Sequence, residues 1–461
     1  MDLCRVTIVA PRRRIDLSLP ADVPLAHMLP TLLRAAGENM ADAGLAHSGW
    51  ALQRLDDAPL DPGQTLSALR VMDGEVLYFR PRMAQLPEMS FDDVADVIAT
   101  GIRERSDRWR PHSTRSAGLW GGAALLGAGA ATLAVSGPPW IIPAAAAGVV
   151  ALLLLTFGAI MSRAMGDAGA GAMVGYVAVP FAFLAGMLIP ARETVPNVLG
   201  LGAAHMLAGF GAATLAAIAG GAVIAEGFPN FLGIALATVI GTIAAGVVVA
   251  LPDAPPAGAA AVCVAIVVAL TALIPSASFK LARLPLPAVP SSAEELRSDT
   301  SLVNGKAVLA RTAVADKFAT GLVAGVAMVA IAAEVFLAVK GGWMAVAMGL
   351  AISLALILRA RVFRGRLQRV WMIAAGLAGA GVLALGAIEA REPLTTLTVV
   401  VLPLLAAAVL TVALGMWLPG NKPSPFWGRA GDILDVIVVV SLIPLALGVL
   451  ELYTWIRGQT G

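Results

Sequence analysis

The chain of 461 residues is 58% hydrophobic and 13% charged, with a mean hydropathy of +0.83. Soluble domains carry about 25% charge, which excludes a wholly soluble protein. A net charge of +2 is too near neutrality to point to nucleic acid. The two cysteines, Cys4 and Cys263, exclude a cysteine metal site and argue against a disulfide, since one lies in a soluble stretch and the other in an apolar segment.

The first twenty residues hold Arg12, Arg13 and Arg14 and no apolar run of signal length, so targeting is expected from the first transmembrane helix. Residues 1–82 read as a soluble α+β domain. Cys4–Ala10 (CRVTIVA) and Arg14–Leu19 (RIDLSL) alternate apolar and polar residues, the period of a half-buried strand. Within Leu25–Ala36, Leu25, Met28, Leu29, Leu32 and Leu33 share one helix face. Trp50–Leu55 predicts a third strand, Asp61-Pro62-Gly63 and Asp73-Gly74 are turns, and Glu75–Arg80 (EVLYFR) predicts a closing strand. Hairpin, helix, strand, turns and strand is the β-grasp order of a ubiquitin-like domain. The chain continues into Pro81-Arg82-Met83, so the free Gly-Gly tail that conjugation needs is missing, and a docking role is expected.

Residues 83–116 read as a helical linker. In Ser90–Arg110, Ser90 can cap a helix, Asp92 and Asp93 suit its N-terminal end, and Arg103, Arg105, Arg108 and Arg110 suit its C-terminal end. Phe91, Val94, Val97, Ile98 and Ile102 form one apolar stripe, which fits packing on the soluble domain, the inner membrane surface or a partner subunit.

Residues 117–456 predict an all-α membrane domain. Eleven apolar stretches lie at roughly 117–136, 140–161, 168–189, 198–222, 229–251, 257–277, 318–339, 342–358, 370–388, 394–416 and 433–456. Each is about 20 residues long, enough to cross a bilayer, and backbone groups in hydrocarbon are satisfied only within helices. With the soluble domain cytoplasmic, the inner side holds fourteen Lys and Arg residues, five of them at Arg359, Arg361, Arg364, Arg366 and Arg369. The outer side holds Arg192, Lys340, Arg391 and Arg457. That bias predicts an odd number of spans and a C-terminus outside the cytoplasm. The inner loop 223–228 runs against it, with Glu226 and no basic residue. Trp120, Trp140, Trp343, Trp371, Trp417, Trp427 and Trp455 fall near span ends and read as interfacial anchors. The loop at about 278–317, with Pro285, Pro287, Pro290 and a capped start at Ser291–Arg297, reads as an ordered cytoplasmic docking element.

Neither a GxxxxGK[ST] phosphate loop nor an HExxH motif occurs, and His27, His47, His112 and His205 are scattered. No catalytic, cofactor-binding or metal residues are therefore expected. His205, among Gly200, Gly202, Gly209 and Gly211, is expected to hydrogen-bond between close helices. Glu334 is expected to pair with Lys340 or snorkel outward, and Asp432 and Asp435 to begin the eleventh span. Gly171-xxx-Gly175 and Gly321-xxx-Gly325 have the spacing that lets helix backbones approach.

The N-terminal stretches CRVTIVAP, RIDLSLP, LLRAAGE and LDPGQTLSALRVMDGEVLYF, followed by a linker and eleven spans with a long loop after the sixth, resemble the EccD family. That family belongs to type VII (ESX) secretion systems of mycobacteria and related actinobacteria. The resemblance implies a non-catalytic inner-membrane subunit, paired as a homodimer around a lipid-lined space. It implies EccB, the EccC ATPase and EccE as partners, and secreted WXG100, PE and PPE proteins as indirect ones. A secondary transporter with a regulatory cytoplasmic domain is the alternative, but no internal repeat or midplane binding group is evident.

Overall fold

A computed structural model describes residues 3–10, 13–36, 49–54, 58–81, 111–224, 226–284, 305–388, 392–417 and 425–460. The expected Ser90–Arg110 helix, residues 285–304 of the 278–317 loop and the segment around Lys422 lie outside them. The chain divides into two compact units, Met1–Trp109 and Arg110–Gly461.

In the first unit, strands β1 (Leu3–Ala10), β2 (Arg13–Pro20), β3 (Trp50–Gln53) and β4 (Glu75–Pro81) form one sheet in the order β2-β1-β4-β3. β1 pairs antiparallel with β2 and parallel with β4, while β3 pairs antiparallel with β4. Alternation puts Val6, Ile8, Leu52 and Leu77 on the inner face, where helix α1 (Leu25–Ala36) covers them with Leu25, Met28 and Leu32. Burying each such side chain contributes about 1.5–3 kcal/mol. The turn before β4 is closed by Arg54, whose Nε lies 2.5 Å from Glu75 Oε1 and whose Nη2 donates to Leu69 O at 3.0 Å. Met72 N–H donates to Glu75 Oε2 at 2.8 Å. Burial pushes the Glu75 carboxyl up, but these donors outweigh it and hold it below the usual carboxylate range.

The second unit has eleven helices among the described residues that are long and apolar enough to cross a membrane. They are α2 (Pro111–Val135), α3 (Ile141–Arg163), α4 (Ala168–Leu188), α5 (Ala203–Val223), α6 (Phe228–Ala250) and α7 (Pro256–Leu281). There follow α8 (Gly305–Lys340), α9 (Gly342–Arg359), α10 (Arg366–Gly386), α11 (Pro393–Trp417) and α12 (Pro425–Val449), then a short α13 (Leu452–Thr460). We call the face where α2 begins the near face and the opposite one the far face. The largest apolar core surrounds α8 and draws on α7, α9, α10 and α12. A smaller core lies chiefly between α3 and α4.

Both small-residue motifs are contact points. A Cβ on Gly171 would meet Gly158 O of α3 at 2.5 Å. A Cβ on Gly175 would meet Phe231 Cζ of α6 at 2.8 Å. Gly321 and Gly325 of α8 lie directly on the backbones of Pro229 and Gly233 of α6. With no apolar drive between helices in lipid, such approach supplies the packing that holds α6 to α8.

Several expected boundaries shift. Helix α8 begins at Gly305, so the end of the expected long loop is helical. Helix α12 begins at Pro425 and ends at Val449, where Glu451 takes φ +63° and turns the chain into α13. Asp432 and Asp435 therefore sit inside a helix rather than at its start, and Trp455 lies on α13. Trp140 is not an exposed interfacial anchor: it is 1% exposed, and its Nε1 donates to Val195 O at 2.9 Å.

Candidate functional site

Polar contacts gather at the two ends of the helices. On the near face, Asp167 caps α4 by accepting from Ala170 N–H at 3.0 Å, and it pairs with Arg115 of α2. That backbone bond, followed by Arg115, lowers the Asp167 carboxyl from its ordinary range. Arg163 donates to Val223 O at 2.5 Å, tying α3 to α5. Glu226, the acid that opposed the charge bias, lies 3.3 Å from Lys317 of α8. On the far face Lys340 pairs with Glu451 at 2.6 Å, and the Lys340 hydrogen bond lowers that carboxyl. Exposed pairs of this kind add little stability, because water screens them and ordering two long side chains costs entropy, so they fix register more than they stabilise.

The expected residues are placed differently. Asp435 pairs with Arg359 at 3.3 Å and Asp432 with Arg361 at 3.3 Å, linking α12 to the end of α9. Arg359 also reaches Val268 O and Thr271 Oγ1 of α7. Glu334 does not pair with Lys340 and does not snorkel. Its side chain is fully buried between α8, α9 and α10, where Ser353 Oγ donates to Oε1 at 2.8 Å. Gly379 of α10 lies flush against the carboxyl, and Oε2 has no partner. His205 does not bridge helices: both ring nitrogens are buried without a hydrogen-bond partner. The structure brings Asp432 and Asp435 to one α9–α12 seam, but leaves His205 and Glu334 on separate helices outside it. Sequence reading missed Arg359, Arg361 and Ser353 as partners, because each lies 19 or more residues from the group it meets.

An apolar cavity of about 250 Å³ lies between α5, α6, α7 and α8 toward the far face, with Met206, Phe210, Ile240, Met328 and Phe336 in its wall. Thr238 also lines it, but its hydroxyl donates to Ile234 O at 3.0 Å. Such a wall offers no convergent polar groups to orient a solute. No group of three or more His, Cys, Asp or Glu residues placed to hold a metal occurs among the described residues. Helices α2 and α11 each bury only 6% of their apolar window, so almost their whole length faces outward.

A β-grasp unit followed by eleven apolar helices, with ion pairs that join helix ends, defines a multi-pass membrane protein with a ubiquitin-like domain. The EccD-like transmembrane domain matches residues 114–459, and YukD, a protein of the WXG100 protein secretion system, matches residues 3–79. The chain belongs to the EccD family. It is 28% identical to the ESX-4 secretion system protein eccD4 of Mycobacterium tuberculosis, over 99% of this chain and 97% of that protein. It is also 28% identical to the ESX-3 secretion system protein EccD3 of Mycobacterium tuberculosis, over 100% of this chain and 99% of that one. The fold is that of protomer 1 of the ESX-3 core complex, with a TM-score of 0.58, 20% identity, and 98% of this chain and 100% of that chain covered. The MycP5-free ESX-5 inner membrane complex matches with a TM-score of 0.54, 22% identity, and 89% and 99% coverage.

Proposed function

We propose that this chain is a non-catalytic scaffold subunit of a type VII (ESX) secretion complex in the inner membrane. The observation that carries the reading is the full-length match to ESX secretion system proteins, spanning both the ubiquitin-like domain and the eleven helices. In this reading residues 1–82 lie in the cytoplasm and dock the EccC ATPase, which supplies the energy for transport. The linker 83–116 joins them to the membrane domain 117–456, and the C-terminus lies outside the cytoplasm. EccB and EccE are the further subunits, and a second copy completes the pair. The outward faces of α2 and α11 leave apolar surface for such neighbours. Polar groups support a scaffold over a transporter: charged residues join helix ends, and the cavity wall is apolar. Affinity purification from native membranes tests the reading. Recovery of a multi-domain ATPase with this chain is expected, whereas substrate-dependent ion flux from the pure protein would favour a transporter.

A further inference from the structure

The segment from Arg359 to Arg369 carries five arginines on the near face, and the structure employs three of them. Arg359 is held by Asp435 and α7, and Arg361 by Asp432 at 3.3 Å. Arg369 Nε donates to Phe363 O at 2.6 Å. Phe363 and Gln368 are buried, and Gln368 Nε2 donates to Asp316 Oδ1 at 2.8 Å, which pins the segment to α8. Arg364 and Arg366 are exposed and partner nothing in the described chain. The first turn of α10 holds no acidic residue, so two free cations stand at the positive end of its helix dipole. An anion seated there would be favoured by both arginines and by the helix dipole.

The surface beneath Arg366 indicates what carries the anion. Arg366, Val370, Ile373 and Leu377 follow the i, i+4, i+7, i+11 spacing of one helix face. Val370 is 53% exposed, Ile373 40% and Leu377 52%. An arginine pair at the membrane surface thus heads an unpartnered apolar column that runs into the bilayer. A phosphate on two acyl chains matches both parts at once, charge to charge and hydrocarbon to hydrocarbon. A free anion would leave the column unused.

We propose that Arg364, Arg366 and the Val370–Ile373–Leu377 face of α10 form a binding site for an anionic phospholipid in the near-face leaflet. The site is independent of the secretion reading. It would fix the height of α9 and α10 in the bilayer, and through Arg359 and Arg361 that of α12.

Native mass spectrometry of the full-length chain, titrated with phosphatidylglycerol and with phosphatidylcholine, tests this. The wild type should prefer phosphatidylglycerol, and Arg364→Gln/Arg366→Gln should weaken that binding by roughly 30-fold, about fivefold for each arginine. Arg364→Lys/Arg366→Lys should retain it, and Arg192→Gln on the far face should leave it unchanged. Both substituted side chains are exposed and unpartnered, so an unchanged melting temperature is expected of the double variants. Equal affinity in the Gln variant and the wild type would overturn the proposal, as would an equal loss in Arg192→Gln. Full displacement by millimolar inorganic phosphate, without preference between the two lipids, would make this a free-anion site and overturn it too. Unchanged lipid binding with loss of another subunit from the native complex would assign the arginines to a protein partner instead.

Discussion

Replacing Gly233 by alanine should separate α6 from α8. The two helices meet backbone to backbone through Gly233 and Pro229 on one side and Gly321 and Gly325 on the other. A Cβ on Gly233 would fall on Gly321 O, which is main chain and has no rotamer to escape into. The helices must move apart, and every contact along the seam loosens with them. Overpacking of this kind costs about 1–3 kcal/mol. The upper half of that range is expected, since helix association in lipid rests on packing rather than on an apolar drive. The control is Gly121→Ala on α2, where an added Cβ has nothing within 4 Å. Thermal unfolding of both variants in nanodiscs, with maleimide labelling of the half-buried Cys263 on α7 as a second probe, reads the difference. Gly233→Ala should melt lower and label faster than wild type, and Gly121→Ala should match wild type. Equal behaviour of the two variants would show that α6 and α8 are not in backbone contact.

Other outcomes follow from the polar groups and the topology. Glu334→Gln keeps an acceptor for Ser353 Oγ and removes the titratable group, so assembly and secretion should persist. A fully assembled complex of that variant that no longer secretes would assign Glu334 to conduction or coupling. Glu75 has a lowered folded pKa, so its contribution to stability is complete above the unfolded value of about 4.3 and is lost as pH falls through the folded one. Circular dichroism melts of Glu75→Gln should therefore lose part of the acid sensitivity of wild type, and identical pH profiles would refute the Arg54–Glu75 assignment. A reporter active only outside the cytoplasm should give signal when fused after Gly461 and none when fused before Met1; equal signal at both ends would rule out an odd number of spans.

Much of this architecture is legible in the sequence because single-residue properties determine it. Alternation in CRVTIVA and EVLYFR needs only one inner face, and the structure places Val6, Ile8 and Leu77 on it. Apolar length alone marks the spans, because a bilayer accepts little else. Reading fails where a residue's environment is set by distant chain. Glu334 lies close to Lys340 in sequence, which suggested a pair, yet Ser353 and Gly379 from two other helices enclose it. Asp432 and Asp435 looked like a helix start because they precede an apolar run, but the helix begins at Pro425 and Arg359 and Arg361 neutralise them from α9. Trp140 has the composition of an interfacial anchor, and only the fold of the 189–202 segment reveals the Val195 carbonyl that buries it. The Gly321-xxx-Gly325 spacing was visible, but its partner on α6 was not.

If a membrane scaffold presents its ubiquitin-like domain to an ATPase, deletion of residues 1–82 removes the docking surface and nothing else. The first span supplies its own apolar signal from Leu119 onward, so the truncated chain should still insert, as carbonate-resistant membrane fractionation would show. Affinity purification of that chain from native membranes should then recover it without the ATPase subunit, or from a complex that has fallen apart, and secretion should stop. A truncated chain that copurifies with the complete complex and supports normal secretion would contradict docking through this domain.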